Sequence, residues 1–196
     1  MTTVYFVRHA EPNHANRDDR SRELTEKGLR DTALVTEFFT GIGIDYFFSS
    51  PYKRAVDTIA DLALSREMQI ETVEDFRERK VDSVWIEDFH SFSKAQWADF
   101  DHKLSDGECL REVQDRNIAA LTQVLQAYSN QTVVIGGHGT ALSTVINYYD
   151  KGFDFVDFER IRKKMPWIVK FLFDGERCVS ITEYDLFTKT ENSRSV

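Results

Sequence analysis

Only two cysteines, Cys109 and Cys178, occur in the chain, too few for a disulfide framework, and no Cys-x-x-Cys pair gives metal-ligand spacing. The reading is of reduced, partly buried thiols, and a cytoplasmic location is expected. No apolar run approaches the ~20 residues that a membrane helix needs, so no membrane partner is expected. No basic segment precedes an apolar core at the N-terminus, so no signal peptide is expected. Positive charge is also scarce: 25 Lys and Arg against 33 Asp and Glu leave a formal net charge of −8. That argues against a nucleic-acid surface, which requires a basic face. It does not exclude a phosphate site, because a few local arginines decide that. The five histidines are scattered, so neither a metal nor a cofactor is expected. There is no internal repeat, low-complexity segment or linker, and nothing sets the oligomeric state.

What is present begins with Val4-Tyr5-Phe6-Val7, an apolar run of strand length that delivers Arg8-His9 where Pro12 and a polar stretch end the strand. Thr132 to Ile135 is a second such run, and it stops at His138 among Gly136, Gly137 and Gly139. Small neighbours there let a backbone approach a ligand closely. A third, Tyr46-Phe47-Phe48, leads through Ser49-Ser50-Pro51 to Arg54 in the first turn of a helix. The helix dipole disfavours a cation at that end, so Arg54 is better explained by an anion in front of it. In an open α/β sheet, ligands bind at the carboxyl ends of strands.

Strands and helices alternate along the chain, which indicates an α/β fold, a three-layer α/β/α sandwich with a mostly parallel sheet. Residues 13–24 form a polar loop expected to lie over the strand ends. Thr25 is a candidate N-cap for a helix that presents Leu29, Ala33, Val35, Phe38 and Phe39 to the sheet. A second helix runs from about Tyr52 to Ser65, and a short strand covers about Gln69 to Val73. Between Glu74 and Asp106, Trp85, Ile86, Phe89, Phe92, Trp97 and Phe100 mix with acidic residues. They read as a helical pair packed on the core, or as a cap over the pocket, and the two readings are compatible. Gly107 opens a long amphipathic helix. Ile168–Phe173 and Cys178–Tyr184 flank Asp174-Gly175-Glu176, a hairpin expected to add antiparallel strands at an edge. One domain is expected over 1–187, with 75–107 as its cap insertion and 188–196 as a polar, frayed tail.

Arg8-His9, Ser49-Ser50-Pro51 with Arg54, Phe76-Arg77-Glu78, Gly107-Glu108 and Gly137-His138-Gly139 resemble, in order and separation, the motifs of the histidine phosphatase superfamily, also called phosphoglycerate mutase-like. The resemblance implies a phosphoglycerate mutase-like fold and phosphohistidine chemistry. It makes His9 the nucleophile, Arg8, Arg54 and His138 its catalytic and phosphate-binding neighbours, and Glu78 the general acid. Gly139 and Asn13 join the phosphate-binding set, with Asn16 an alternative to Asn13. Glu11 is a weaker competitor for the acid role, and Glu78 paired with Arg77 or Arg79 on a surface is the competing reading. Glu108 is expected to be structural or at the pocket rim, and His90 and His102 to be surface or lid residues.

The chain departs from the family's Arg-His-Gly-x-Thr-x-x-Asn: Ala10 replaces Gly, Pro12 replaces Thr and Ala15 stands where Asn is expected. A glycine expected shortly after Glu78 is also absent. Nucleophile and cations survive, so the departures bear on the substrate. The expected function is a metal-independent phosphatase, a phosphoric monoester hydrolase acting on a small phosphorylated metabolite. A phosphoglycerate mutase is the alternative, ranked lower because mutases of the family usually run longer. A phospho-ligand or protein-binding module without turnover is the third reading.

Overall fold

The computed structural model describes residues 1–84 and 86–196, so the expectation for Trp85 lies outside the described residues. Seven strands form one sheet in the order β3-β2-β4-β1-β5-β6-β7. Here β1 is Thr2–Arg8, β2 Tyr46–Ser49, β3 Ile70–Thr72, β4 Thr132–Gly137, β5 Trp167–Asp174, β6 Arg177–Asp185 and β7 Thr190–Ser195. The first four run parallel, and β5, β6 and β7 extend the sheet antiparallel from β1.

Strand β1 explains why the sheet must be covered on both faces. Val4 and Phe6 join one apolar cluster, while Tyr5 and Val7 join the other. A strand buried on both sides reads as a continuous apolar run rather than an alternation. Helices α1 (Glu26–Phe38) and α2 (Lys53–Ser65) supply Val35, Ile59 and Leu62 to the face of Tyr5 and Val7. Helices α4 (Leu110–Ala127), α5 (Gly139–Tyr149) and α6 (Phe155–Ile161) supply Leu121, Leu142 and Ile161 to the other. The result is the three-layer α/β/α sandwich.

Some local expectations differ from the structure. Thr25 does cap α1, its hydroxyl accepting from Gly28 N–H at 3.0 Å. The buried face of α1, however, is Gly28, Thr32 and Val35, followed by Phe39, whereas Leu29 is 55% exposed and Ala33 is exposed. Gly28 fixes this register, because a Cβ there would sit 2.3 Å from the Glu11 carbonyl oxygen. The segment expected to be a helical pair contains, among the described residues, a 3-10 turn (Glu74–Phe76) and one helix, α3 (Phe89–Ala98). Trp97 of α3 packs against Phe100, Phe153 and Phe158, so the aromatics do pack on the main core. The long helix begins after Cys109, whose thiol and Glu112 form a reciprocal cap, and not at Gly107. The tail expected to fray instead forms β7 over Thr190–Ser195, paired along β6. Backbone pairing there needs no apolar side chain, which is why polarity misread it.

Candidate active site

Register brings the three motif-bearing strand ends together. Arg8 pairs with Gly137 across β1 and β4, and Ser49 pairs with Gly136 across β2 and β4. The residues that follow, His9, His138 and Ser50, therefore emerge side by side at the carboxyl edge, the position at which α/β sheets bind ligands. The His9 and His138 ring centroids are 5.4 Å apart.

His9 is buried, and its Nδ1 lies 2.7 Å from the Ala10 carbonyl oxygen. A carbonyl can only accept, so Nδ1 carries the proton and Nε2 keeps its lone pair. Ala10 is held in turn by its N–H on Thr58 Oγ1 at 2.9 Å. Burial, with the charges of Arg54 and Arg8, pushes the His9 imidazole well below the usual histidine range. His9 is thus neutral at pH 7, as a nucleophile must be.

His138 is fully buried, and its Nε2 lies 2.8 Å from Ser50 Oγ. Ser50 Oγ also accepts from Tyr52 N–H at 3.2 Å. With the hydroxyl donating to Nε2, the His138 proton is on Nδ1, a buried atom without a partner in the protein. Burial, then Arg54 and His9, lower this imidazole well below its usual range too.

Arg8 is spent partly on structure. Its Nη1 donates to the Ile161 and Lys164 carbonyls at 2.7 and 3.2 Å, and its Nη2 to Arg162 at 3.1 Å. Its Nε is buried without a partner. Burial lowers its pKa to about 10 against the pull of Glu78, so it remains a cation. Gly139 serves this packing: a Cβ there would lie 2.8 Å from the Arg8 Cζ. Close approach at Gly139 is therefore to Arg8.

Arg54, 3% exposed, projects from the first turn of α2. Its Nη1 donates to the Asp19 carbonyl at 2.5 Å, and its Nη2 pairs with Asp19 Oδ1 at 3.0 Å. The 13–24 loop therefore does lie over the site. Within it, Asn13 and Asn16 both donate their amides to the Glu23 carboxylate, at 2.6 and 2.8 Å. The amide expected at the phosphate is instead committed to the loop's neck.

Glu78 does not pair with Arg77 or Arg79 side chains. Its Oε2 accepts from Thr140 N–H at 3.0 Å, and its Oε1 accepts from Ala141 and Arg79 N–H at 3.1 and 2.8 Å. It thus closes the first turn of α5 next to His138, where exposed N–H groups favour an anion. Arg77 pairs with Glu108, which also takes Arg116 and the Lys80 N–H. Burial pushes the Glu108 carboxyl up, but those hydrogen bonds and charges together hold it below the usual range, a structural role. Glu11 accepts from the Thr25 hydroxyl at 2.8 Å. His90 is exposed against Glu159, and His102 is half-buried beside Phe92.

The sequence reading missed Asp19, Thr58 and His14. Thr58 stands four residues after Arg54, one helical turn on, and that spacing was its only signal. His14 lies in the loop, where burial, Arg22 and Arg54 lower its imidazole. Among the described residues no three His, Cys, Asp or Glu side chains gather as a metal site would, and no helix is long and apolar enough to cross a membrane.

Comparison with known proteins places the chain in a family. The model of the histidine phosphatase superfamily, branch 1, matches residues 4–185. A Bacillus subtilis protein named as the uncharacterized phosphatase PhoE is 27% identical over 157 residues, 78% of this chain and 79% of its own length. Phosphoserine phosphatase 1 of Hydrogenobacter thermophilus is 26% identical over 157 residues, 70% of this chain and 71% of its own. The solved structure of a mutant Entamoeba histolytica phosphoserine phosphatase in complex with phosphoserine superposes with a TM-score of 0.74 at 20% identity, over 91% of this chain and 94% of that one. The chain belongs to the histidine phosphatase superfamily, branch 1, as one of its enzymes.

Proposed function

We propose that this enzyme is a metal-independent phosphatase that hydrolyses a small phosphorylated metabolite through a phosphohistidine on His9. The observation that carries the reading is the His9–Ala10 hydrogen bond, which leaves a neutral imidazole with a free Nε2 beside two arginines and a second histidine. Phosphoryl transfer asks a protein for positioning and for positive charge around the equatorial oxygens. Arg54, the Arg8 Nε–H and the His138 Nδ1–H supply donors of that kind. In the first step Nε2 attacks phosphorus, the ester P–O bond breaks, and Glu78 gives the leaving alkoxide a proton. In the second, Glu78 takes a proton from water, the water oxygen attacks phosphorus, and His9 departs with phosphate released. Two of the similar proteins are named phosphoserine phosphatases, which supports a small phosphate ester as the substrate class.

The test is phosphate release from a generic ester in excess chelator, by wild type and His9→Ala. Wild type should release phosphate and form a labelled phosphoenzyme that is lost in acid and stable in alkali. His9→Ala should lose activity by roughly 10³-fold or more. Equal release by the variant would sink the mechanism. Interconversion of 2- and 3-phosphoglycerate faster than hydrolysis would place the enzyme among the mutases.

A further inference from the structure

We infer that Asp19 is a gate built into the phosphate site: its carboxylate occupies the seat of a phosphoryl group on Arg54, and a ligand binds by displacing it. The inference rests on the reading of Arg54 as a phosphate ligand. A guanidinium fork recognises carboxylate and phosphate by the same planar geometry. Both terminal nitrogens of Arg54 are occupied by the one residue Asp19, through its carbonyl and its carboxylate. A cation this buried is costly without a partner, so an unliganded site favours a resident anion. Arg22 holds the same carboxylate oxygen at 2.9 Å and anchors itself on the Asn16 carbonyl at 2.8 Å. The closed position is thereby stabilised from the loop side as well.

The loop is tied more firmly at its neck than at its tip. Its neck is fixed by the Pro12–Leu24 bridge, by Asn13 N–H on the Glu23 carbonyl at 2.8 Å, and by the two amides on the Glu23 carboxylate. The tip is held from outside by Arg20, whose carbonyl accepts from Lys53 N–H at 2.9 Å. Its side chain pairs with exposed Glu74 and lies over the Tyr52 ring. The Arg20–Glu74 pair is at the surface, where ion pairs contribute little, so lifting the tip costs less than opening the neck. A phosphate dianion brings more charge and more oxygens to Arg54 than a carboxylate does, and so can displace Asp19. A monocarboxylate has no such advantage. The gate therefore selects for phosphoryl groups, and its return opposes retention of product phosphate.

Calorimetric titration with inorganic phosphate, on wild type and Asp19→Asn, tests this. The variant should bind phosphate about tenfold tighter or more, because the amide holds Arg54 less strongly than the carboxylate. Its KM for a phosphate ester should fall in step, with thermal unfolding confirming a folded protein. Unchanged or weaker binding by the folded variant overturns the gate and leaves the proposed activity standing. Binding by neither protein overturns both. A second measurement needs no variant: saturating phosphate should speed amide hydrogen exchange at residues 17–22 of wild type, and unchanged or slower exchange there also overturns the gate.

Discussion

Ser50 Oγ lies 2.8 Å from His138 Nε2 and accepts the Tyr52 N–H from its other side. One hydroxyl thus holds the ring of a histidine that no solvent reaches, and by donating to Nε2 it selects the Nδ1–H tautomer. The second Ser of the Ser49-Ser50-Pro51 motif therefore holds His138 in place.

Removing that tether should cost both stability and catalysis, since it strands the Tyr52 N–H as well as His138 Nε2. Ser50→Ala leaves Nε2 buried without a donor, frees the tautomer and should lower kcat by about tenfold, the equivalent of one neutral hydrogen bond. Nitrogen NMR of the labelled imidazole should show the Nδ1–H form in wild type and a mixture in the variant. An unchanged kcat would exclude the assigned role.

Two buried neutral histidines also set an acid limit on stability. Both folded imidazoles are lowered well below 6.5, so below that pH the unfolded chain binds more protons than the folded one. Stability should be level above about pH 7 and fall as pH drops below 6.5, by at most about 1.4 kcal/mol per pH unit for each group. Urea titrations from pH 7.5 to 4.5 measure the slope. His138→Gln should flatten it by up to one proton, and an unchanged slope would mean that His138 titrates normally.

On the proposed function, Arg54 is the residue whose loss phosphate binding should register most. Arg54→Ala should raise the inhibition constant of inorganic phosphate about 10²-fold, as loss of two charged hydrogen bonds would. Arg54→Lys should recover only part, because an ammonium is a point charge without the fork. Inhibition measured at two ionic strengths checks that the loss is local, since a buried site is screened less than a surface one.

The strand ends could be read because their information is local. An apolar run that stops at Arg8-His9 or at Gly137-His138 declares both a buried strand and an unusual terminus. The parallel register of β1 on β4 then brings the two histidines together without further specification. Asp19 could not be read, since its partner Arg54 lies 35 residues away and nothing in Arg17 to Arg22 distinguishes the one carboxylate that turns inward. Glu78 was found by its motif, but its hydrogen bonds to Thr140 and Ala141 depend on tertiary placement of α5. Leu29 and Ala33 failed because apolar spacing alone cannot choose between adjacent faces of α1, whereas the close approach of Gly28 to Glu11 does.

Glu78 offers the sharpest separation of chemistry from architecture, because its carboxylate is joined to both. It accepts three main-chain N–H groups, two of them from the first turn of α5, directly after His138. In Glu78→Gln one side-chain oxygen remains to accept, while the new amide faces at least one N–H donor to donor. A stability loss of about 1–3 kcal/mol is expected from that conflict. If Glu78 only positions α5, the variant should lose activity equally on every substrate, through a displaced His138. If it also protonates the leaving group, the loss depends on leaving-group basicity. An alkyl phosphate should then suffer by about 10²–10⁴-fold, and an activated aryl phosphate, whose leaving group departs without a proton, far less. Rapid phosphorylation of His9 by the aryl ester should persist in the variant. Equal losses on both esters in a folded protein would remove Glu78 from proton transfer and leave it as the cap of α5, and the acid would then be sought first at Glu11.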